Sequence, residues 1–216
     1  MDESTANLLI FAGADVNAVS PRGWTPLMWQ VRQANTDVVK LLLKKGAKLD
    51  SKDNEGNSIL HVAADISIYS DDSFENGTRR TKIIKTLLEH GADVNTKNNL
   101  GETPLMRMAY WAKIDGIRLL LKHGADATVV DNSGSTALHH LAKNIDVMPE
   151  DIFYNSYPGE DEGGNQFIVY FKAVANEMIQ KGADLNIKNN NGETATDVAS
   201  NHKSDMAEAL KAVAKG

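Results

Sequence analysis

Apolar residues recur with a helical period in two adjacent short stretches of Leu100–Asp131. Leu105, Met108 and Ala109 share one face of a predicted helix, and apolar residues within Ile117–Leu121 repeat that spacing after a break. A Gly-Glu-Thr-Pro-Leu turn precedes the pair of helices and a Gly-Ala-Asp turn closes it. Helices this short cannot bury their apolar faces alone. The pattern therefore predicts neighbouring units of the same kind.

The same unit recurs along the chain at a fixed distance. A Gly-Ala dipeptide closes each unit at Gly13, Gly46, Gly91, Gly124 and Gly182, and a Thr or Ser opens each helix pair at Thr25, Ser58, Thr103, Thr136 and Thr194. Thr25 to Gly46 and Thr103 to Gly124 both span 21 positions, and every closing Gly lies 12 positions before the next Thr or Ser. The resulting 33-residue period predicts a solenoid of stacked units.

The repeated unit resembles the ankyrin repeat. The resemblance rests on Thr25-Pro-Leu, Thr103-Pro-Leu, Leu60-His61, Leu138-His139 and the Gly-Ala-Asp closings, and it covers essentially the whole chain. It implies an all-α solenoid of helix-turn-helix units joined by β-hairpin loops. It also implies that the rings of His61 and His139 bond the backbone and fix the turn. Thr as helix N-cap, with Pro at the first helical position, agrees with helix physics.

A single domain is expected over residues 1–216. It would comprise a partial repeat at 1–19, repeats at 20–52, 53–97, 98–130 and 131–188, and a C-terminal capping repeat at 189–216. Two of these repeats carry insertions between their helices, at about 67–81 and about 145–167, and their Gly, Asn, Ser and Pro content predicts loops. The second insertion is acidic. The partial repeat has only a second helix, so the apolar residues Leu8–Phe11 are expected to be poorly covered.

Composition excludes several classes of function. The chain has 216 residues, no Cys and a formal net charge of −6, so disulfides and thiolate zinc sites are ruled out. No basic block suggests a nucleic-acid partner, and no apolar run reaches the roughly 18 residues of a membrane span. We expect a monomer in the cytoplasm. A periplasmic or secreted protein is the alternative if a signal peptide has been removed.

Catalytic and metal-binding motifs are not found in the sequence. It contains no Gly-x-Ser-x-Gly, no Walker-type loop and no dinucleotide fingerprint. The histidines show no His-x-x-x-His or Glu-x-x-His spacing, so we expect no metal site, no cofactor and no enzyme activity. His139 and His140 are adjacent and should point to different faces of their helix.

Candidate partner contacts lie at the variable positions of the repeat on its concave face, just before each Thr or Ser and seven and eight positions after it. They are Trp24, Arg32, Gln33, Asp65, Ile66, Tyr110, Trp111, Lys143 and Asn144, with Phe153, Tyr154 and Tyr157 added from the second insertion. Aromatic and Arg side chains on a polar surface are typical of binding hot spots. Packing against neighbouring units is the alternative. Binding is favoured for Tyr110 and Trp111, because two adjacent residues cannot both face the core.

The sequence thus predicts a non-catalytic module that binds another protein through its concave face and insertions. In one version it inhibits or modulates a partner enzyme, and the acidic insertion would favour a basic partner surface. One alternative is a structural adaptor that joins two partners. Another is a metal- or substrate-dependent enzyme built on the acidic insertion.

Overall fold

The computed structural model describes residues 3–65, 73–143, 166–202 and 204–213. These residues form eleven helices and no β-strand. In chain order the helices are α1 (Glu3–Phe11), α2 (Pro26–Arg32), α3 (Thr36–Lys44), α4 (Ile59–Ala64), α5 (Ser73–Glu89), α6 (Pro104–Tyr110), α7 (Ile114–Lys122), α8 (Ala137–Lys143), α9 (Gln166–Gln180), α10 (Ala195–His202) and α11 (Ser204–Val213).

The helices stack in two parallel rows. One row holds the first helix of each unit, with α2 against α4, α4 against α6, α6 against α8 and α8 against α10. The other row runs from α1 through α3, α5, α7 and α9 to α11. Each unit therefore contacts mainly its neighbours, as in a repeat protein. The predicted all-α solenoid is confirmed.

Each first helix begins where the sequence indicates. The hydroxyl oxygen of Thr25 accepts a hydrogen bond from the backbone N–H of Met28 at 3.2 Å, and Pro26 follows as the first helical residue. Thr103 caps α6 in the same way through the N–H of Met106 at 3.4 Å. A side-chain acceptor thus satisfies an N–H that the first turn of a helix leaves unpaired.

The turns between units are joined by single backbone hydrogen bonds. The N–H of Asn99 donates to the carbonyl of Glu55 at 2.9 Å, and the N–H of Asn132 donates to Leu100 at 3.0 Å. Gly56 adopts a φ of 78° at such a turn, and a Cβ there would overlap Asn99 of the next unit. Glycine is therefore required twice over, by backbone angle and by space.

The first insertion differs from its prediction. Residues 73–81 were expected to be part of a loop, but they belong to α5, which has 17 residues where α3 and α7 have nine. The apolar residues Ile83, Ile84 and Leu87 dock the end of α5 in the core. Extending a docked helix adds one hydrogen bond per residue without a new nucleation step, which outweighs the cost of about 1 kcal/mol for the Gly within it.

Several predicted contact residues lie at positions 66–72 and 144–165, which hold the remaining part of the first insertion, nearly all of the second and the residue before each. Ile66, Asn144, Phe153, Tyr154 and Tyr157 lie outside the described residues. Their proposed contacts with a partner stay predictions.

The N-terminal end of the solenoid exposes apolar surface. In α1, Leu8 is 69% exposed and Phe11 is 93% exposed. The row of first helices begins at α2, so α1 packs on α3 without a first helix beside it. The sequence predicts that the apolar residues of this region are poorly covered by other parts of the protein, and this prediction is confirmed.

Candidate functional site

A cluster of aromatic and charged side chains bridges the second and third units. Asp65, the residue after α4, places its Oδ1 atom 3.2 Å from the Nε atom of Arg107. The indole N–H of Trp111 donates to the same oxygen at 2.9 Å. Arg107 also pairs through Nη1 with Glu102 Oε2 at 3.2 Å. Asp65 therefore fixes two residues of the next unit at once.

Tyr110 extends this cluster along the surface. Its ring meets the ring of Trp111 edge to face, with centroids 5.1 Å apart, and the ring of His140 with centroids 6.4 Å apart. Tyr110, Trp111 and Asp65 are all half-buried. Tyr110 and Trp111 therefore pack against neighbouring side chains and stay partly exposed, and their contact with a partner stays a prediction. We call Asp65, Arg107, Tyr110 and Trp111 the bridging cluster.

Burial sets the ionisation of the groups around this cluster. It raises the pKa of the Asp65 carboxyl, although Arg107 and the Trp111 hydrogen bond act in the opposite direction. Burial also lowers the pKa of Lys113, the residue before α7, to about 7, and the charge of Arg80 lowers it further. The charged form of a buried group is disfavoured in both cases.

A second aromatic surface lies at the N-terminal end. An open groove of about 1400 Å³ is lined by α1, α2, α3 and the turns beside them, and Trp24, Trp29 and Arg32 border it. The Trp24 and Trp29 rings meet edge to face at 5.8 Å, and the guanidinium of Arg32 lies 5.9 Å from the Trp24 ring centroid. The Oε1 atom of the buried Gln30, which also lines the groove, has no hydrogen-bond partner.

The buried histidines are structural, as the resemblance implied. The backbone N–H of Ser58 donates to Nδ1 of His61 at 3.1 Å, and Nε2 of His61 donates to the carbonyl of Glu102 at 2.9 Å. His139 makes the equivalent bonds to Thr136 and Glu193. Burial lowers the pKa of His61 to about 4, so its neutral ring is favoured. Each ring ties one unit to the next.

His140 has a different environment from its neighbour His139, as expected. Its Nε2 atom lies 2.8 Å from Oδ2 of Asp131. Among the described residues, Glu102, Asp131 and His140 form the one group that brings potential metal ligands together, with ligand atoms within 4.8 Å of one another. The sequence motifs did not indicate this group.

The predicted contact residues lie at two adjoining surfaces and two further positions, and Asp65 lines the N-terminal groove as well as belonging to the bridging cluster. Asp65, Tyr110 and Trp111 meet in the bridging cluster, and Trp24 and Arg32 meet at the N-terminal groove. Gln33 lines a smaller cavity beside α3, and Lys143 is exposed at the end of α8.

Sequence reasoning missed Trp29 and Arg107, which lie four positions after the Thr that opens their units. Comparing the repeats could have identified both residues. The equivalent position holds Val62 and Val198 in other units, so a large aromatic or charged residue there departs from the pattern.

Comparison with known proteins agrees with this architecture. A sequence profile for ankyrin repeats, in three copies, matches residues 2–69 and 74–149. The chain belongs to the ankyrin-repeat family. Ankyrin repeats are general protein–protein interaction modules and are typically non-catalytic.

Individual relatives match the chain over a single stretch. A segment of 57 residues is 44% identical to human Transient receptor potential cation channel subfamily A member 1, covering 26% of this chain and 5% of that protein. A segment of 60 residues is 42% identical to Notch-regulated ankyrin repeat-containing protein A of Danio rerio, covering 26% of this chain and 54% of that protein. The matches thus span less than two thirds of either relative. None of the described helices is long and apolar enough to cross a membrane.

Proposed function

We propose that this ankyrin-repeat chain is a non-catalytic module that binds a partner protein through the bridging cluster. The observation that carries the proposal is the arrangement of Tyr110 and Trp111. Both residues are only partly buried, their rings meet edge to face, and the indole N–H of Trp111 donates to Asp65. Rings fixed before binding lose little conformational freedom when a partner covers them. Large aromatic and Arg side chains are also the residue types that dominate binding energy.

The charges around the cluster define the kind of partner. The net charge of −6 favours approach of a basic protein surface. Arg107 is already paired with Asp65 and Glu102 and needs no partner group to neutralise it. A basic or neutral surface with an exposed apolar centre would therefore match the cluster. Blocking or modulating a partner enzyme is one outcome of such docking, and we place the complex in the cytoplasm.

The N-terminal groove supports a second candidate function, that of an adaptor. Trp24 and Trp29 form an aromatic pair of their own, two units away from Trp111. Two aromatic pairs on one solenoid, whose surfaces adjoin at Asp65, would allow two partners to be held at once. Under this alternative, variants of the two surfaces would each lose a different partner.

Comparative affinity capture tests both candidates. Tagged wild-type chain, the Tyr110→Ala/Trp111→Ala variant and the Trp24→Ala/Trp29→Ala variant are incubated with the same lysate, and bound proteins are quantified by mass spectrometry. Val169→Ala is the matched control, because it removes an exposed apolar side chain from α9 in the other helix row. We expect one partner that the Tyr110/Trp111 variant loses and the control keeps. Equal recovery by all variants would contradict the proposal.

A further inference from the structure

Three potential metal ligands converge at the contact between the third and fourth units. Glu102 is the residue before the capping Thr of its unit, whereas Asp131 and His140 belong to the turn and first helix of the next unit. One ligand atom from each lies within 4.8 Å of the other two. The side chains are recessed, with exposed fractions of 12% for Glu102, 7% for Asp131 and 11% for His140.

The repeat fold uses an Asp or Asn at the position of Asp131 to accept turn N–H groups, but it does not require Glu102 or His140. The same three register positions are occupied at the other unit contacts by Trp24, Asp53 and Val62, by Asn57, Asn98 and Arg107, and by Ser135, Asn189 and Val198. Asn98 donates to Asn57 there at 3.1 Å, so one polar contact is enough to join two units. An imidazole with two carboxylates occurs at only one of these four contacts. Its composition therefore calls for a reason other than folding.

The surrounding hydrogen bonds hold the two carboxylates in place. Oδ1 of Asp131 accepts the backbone N–H groups of Ser133 at 2.8 Å and Ser135 at 2.9 Å, while Oδ2 faces Nε2 of His140 at 2.8 Å. Oε2 of Glu102 is held by Asn98 at 2.9 Å and by Arg107 at 3.2 Å. Secondary contacts of this kind orient metal ligands and strengthen their binding.

We propose that Glu102, Asp131 and His140 form a binding site for a divalent transition-metal ion such as Zn²⁺. One imidazole nitrogen and two carboxylate oxygens suit a borderline metal, and water completes the coordination. On binding, the proton on Nε2 of His140 moves through solvent to Nδ1 of the same ring, and Nε2 coordinates through its lone pair. The charge of Arg107 beside Glu102 limits the affinity.

The chain itself supplies variants that remove ligands without disturbing the fold. Asp131→Asn copies Asn98 and Asn189, whose Oδ1 atoms accept the same two turn N–H groups. His140→Val copies Val62 and Val198. His123→Ala is the matched control, because His123 is exposed and bonds only the carbonyl of Leu119 in its own helix.

Calorimetric titration of the full chain with Zn²⁺, and visible spectra with Co²⁺, test the site. We expect one ion per chain for wild type and His123→Ala, and a loss of affinity of at least about tenfold for Asp131→Asn and His140→Val. Thermal melts check that each variant is folded, and Glu102→Gln replaces any that is not. The proposal is overturned by wild-type binding weaker than roughly 100 μM. Binding that the ligand variants leave unchanged, an adventitious surface site, overturns it as well.

Discussion

The middle of the solenoid and its N-terminal end place equivalent residues in opposite environments. Val62 and Trp29 occupy the same position of the repeat, yet Val62 is 3% exposed and Trp29 is 54% exposed. Between the central units, His61 bonds across to Glu102, whereas among the described residues α2 has no first helix of a preceding unit beside it. Burial in a solenoid is therefore supplied by the neighbouring unit and not by the repeat motif alone.

The central contacts also differ among themselves, and this difference is informative about function. The fourth position after each opening Thr or Ser holds Val62, Arg107, His140 or Val198 without any change in the stacking of the helices. Because the fold tolerates all four residues at this position, the residue in each unit can have a role other than folding. Arg107 supports the bridging cluster, and His140 faces Asp131.

The largest expected effect comes from removing a buried side chain in the middle. Leu60 in α4 is fully buried, so Leu60→Ala should lower the free energy of unfolding by about 2–5 kcal/mol. Leu8→Ala, the same change at the open end, should alter it by about 0.5 kcal/mol or less. Urea unfolding followed by circular dichroism measures both. Equal losses would mean that something covers α1.

The next effect concerns the histidine that joins two central units. His61→Ala should cost about 1–3 kcal/mol, because the carbonyl of Glu102 and the N–H of Ser58 lose their partner in a buried place. His61→Met should cost less, since Met106 fills the same position in the next unit. Equilibrium unfolding of the two variants separates lost packing from lost hydrogen bonds. If the Met variant were as unstable as the Ala variant, the whole loss of stability would come from the lost hydrogen bonds.

The pH dependence of stability should report the buried groups of the central units. The pKa of His61 falls from 6.5 when unfolded to about 4 when folded, so the unfolded chain binds more protons between these values. The free energy of unfolding should therefore decrease as the pH is lowered from 6.5 to 4, by at most about 1.4 kcal/mol per pH unit from this group. Melting curves of wild type and His61→Met should diverge across that window. Parallel curves would contradict the lowered pKa.

Lys113 should give a second pH window, on the alkaline side, in which stability also rises with pH. Its pKa is about 7 when folded and 10.5 when unfolded, so stability from this group rises with pH between these values. Lys113→Met should remove that rise and should stabilise the protein at pH 7, where burial of the amine is unfavourable. Melting temperatures at pH 7 and pH 9 measure both effects. A larger alkaline rise in the variant would be inconsistent with a buried amine.

The last prediction concerns amide hydrogen exchange of the wild-type protein, which needs no substitution. Residues 3–11 should exchange fastest among the described helices, because α1 packs on one side only. Leu119–Leu121 in the central helix α7 should be protected nearly to the level of global unfolding. Hydrogen exchange read by mass spectrometry gives both rates. Equal protection would reveal a dimer or another cover at the N-terminal end.

The sequence predicts the repeated features well and the exceptions poorly. The 33-residue period places the caps at Thr25 and Thr103 and the ring of His61, because local chemistry repeats with the unit. The helical start of α5 was missed because Gly and Asn indicate loops unless a docked helix extends through them.

The contacts between units were also missed, for a related reason. The bond from Trp111 to Asp65 joins residues 46 positions apart, and the trio of Glu102, Asp131 and His140 spans two units. Spacing rules within one helix do not find such groups. Aligning the units by their register would bring them together.

The central claim is that the bridging cluster binds a partner protein, and calorimetry on the captured partner tests it most directly. Tyr110→Ala/Trp111→Ala should lose about 2 kcal/mol or more of binding free energy, while Val169→Ala binds like wild type. The far-UV spectrum and the melting temperature should change little, because neither ring belongs to the buried core. Unchanged affinity, or a loss of folding stability as large as the loss of affinity, would contradict the account and leave these rings with a packing role.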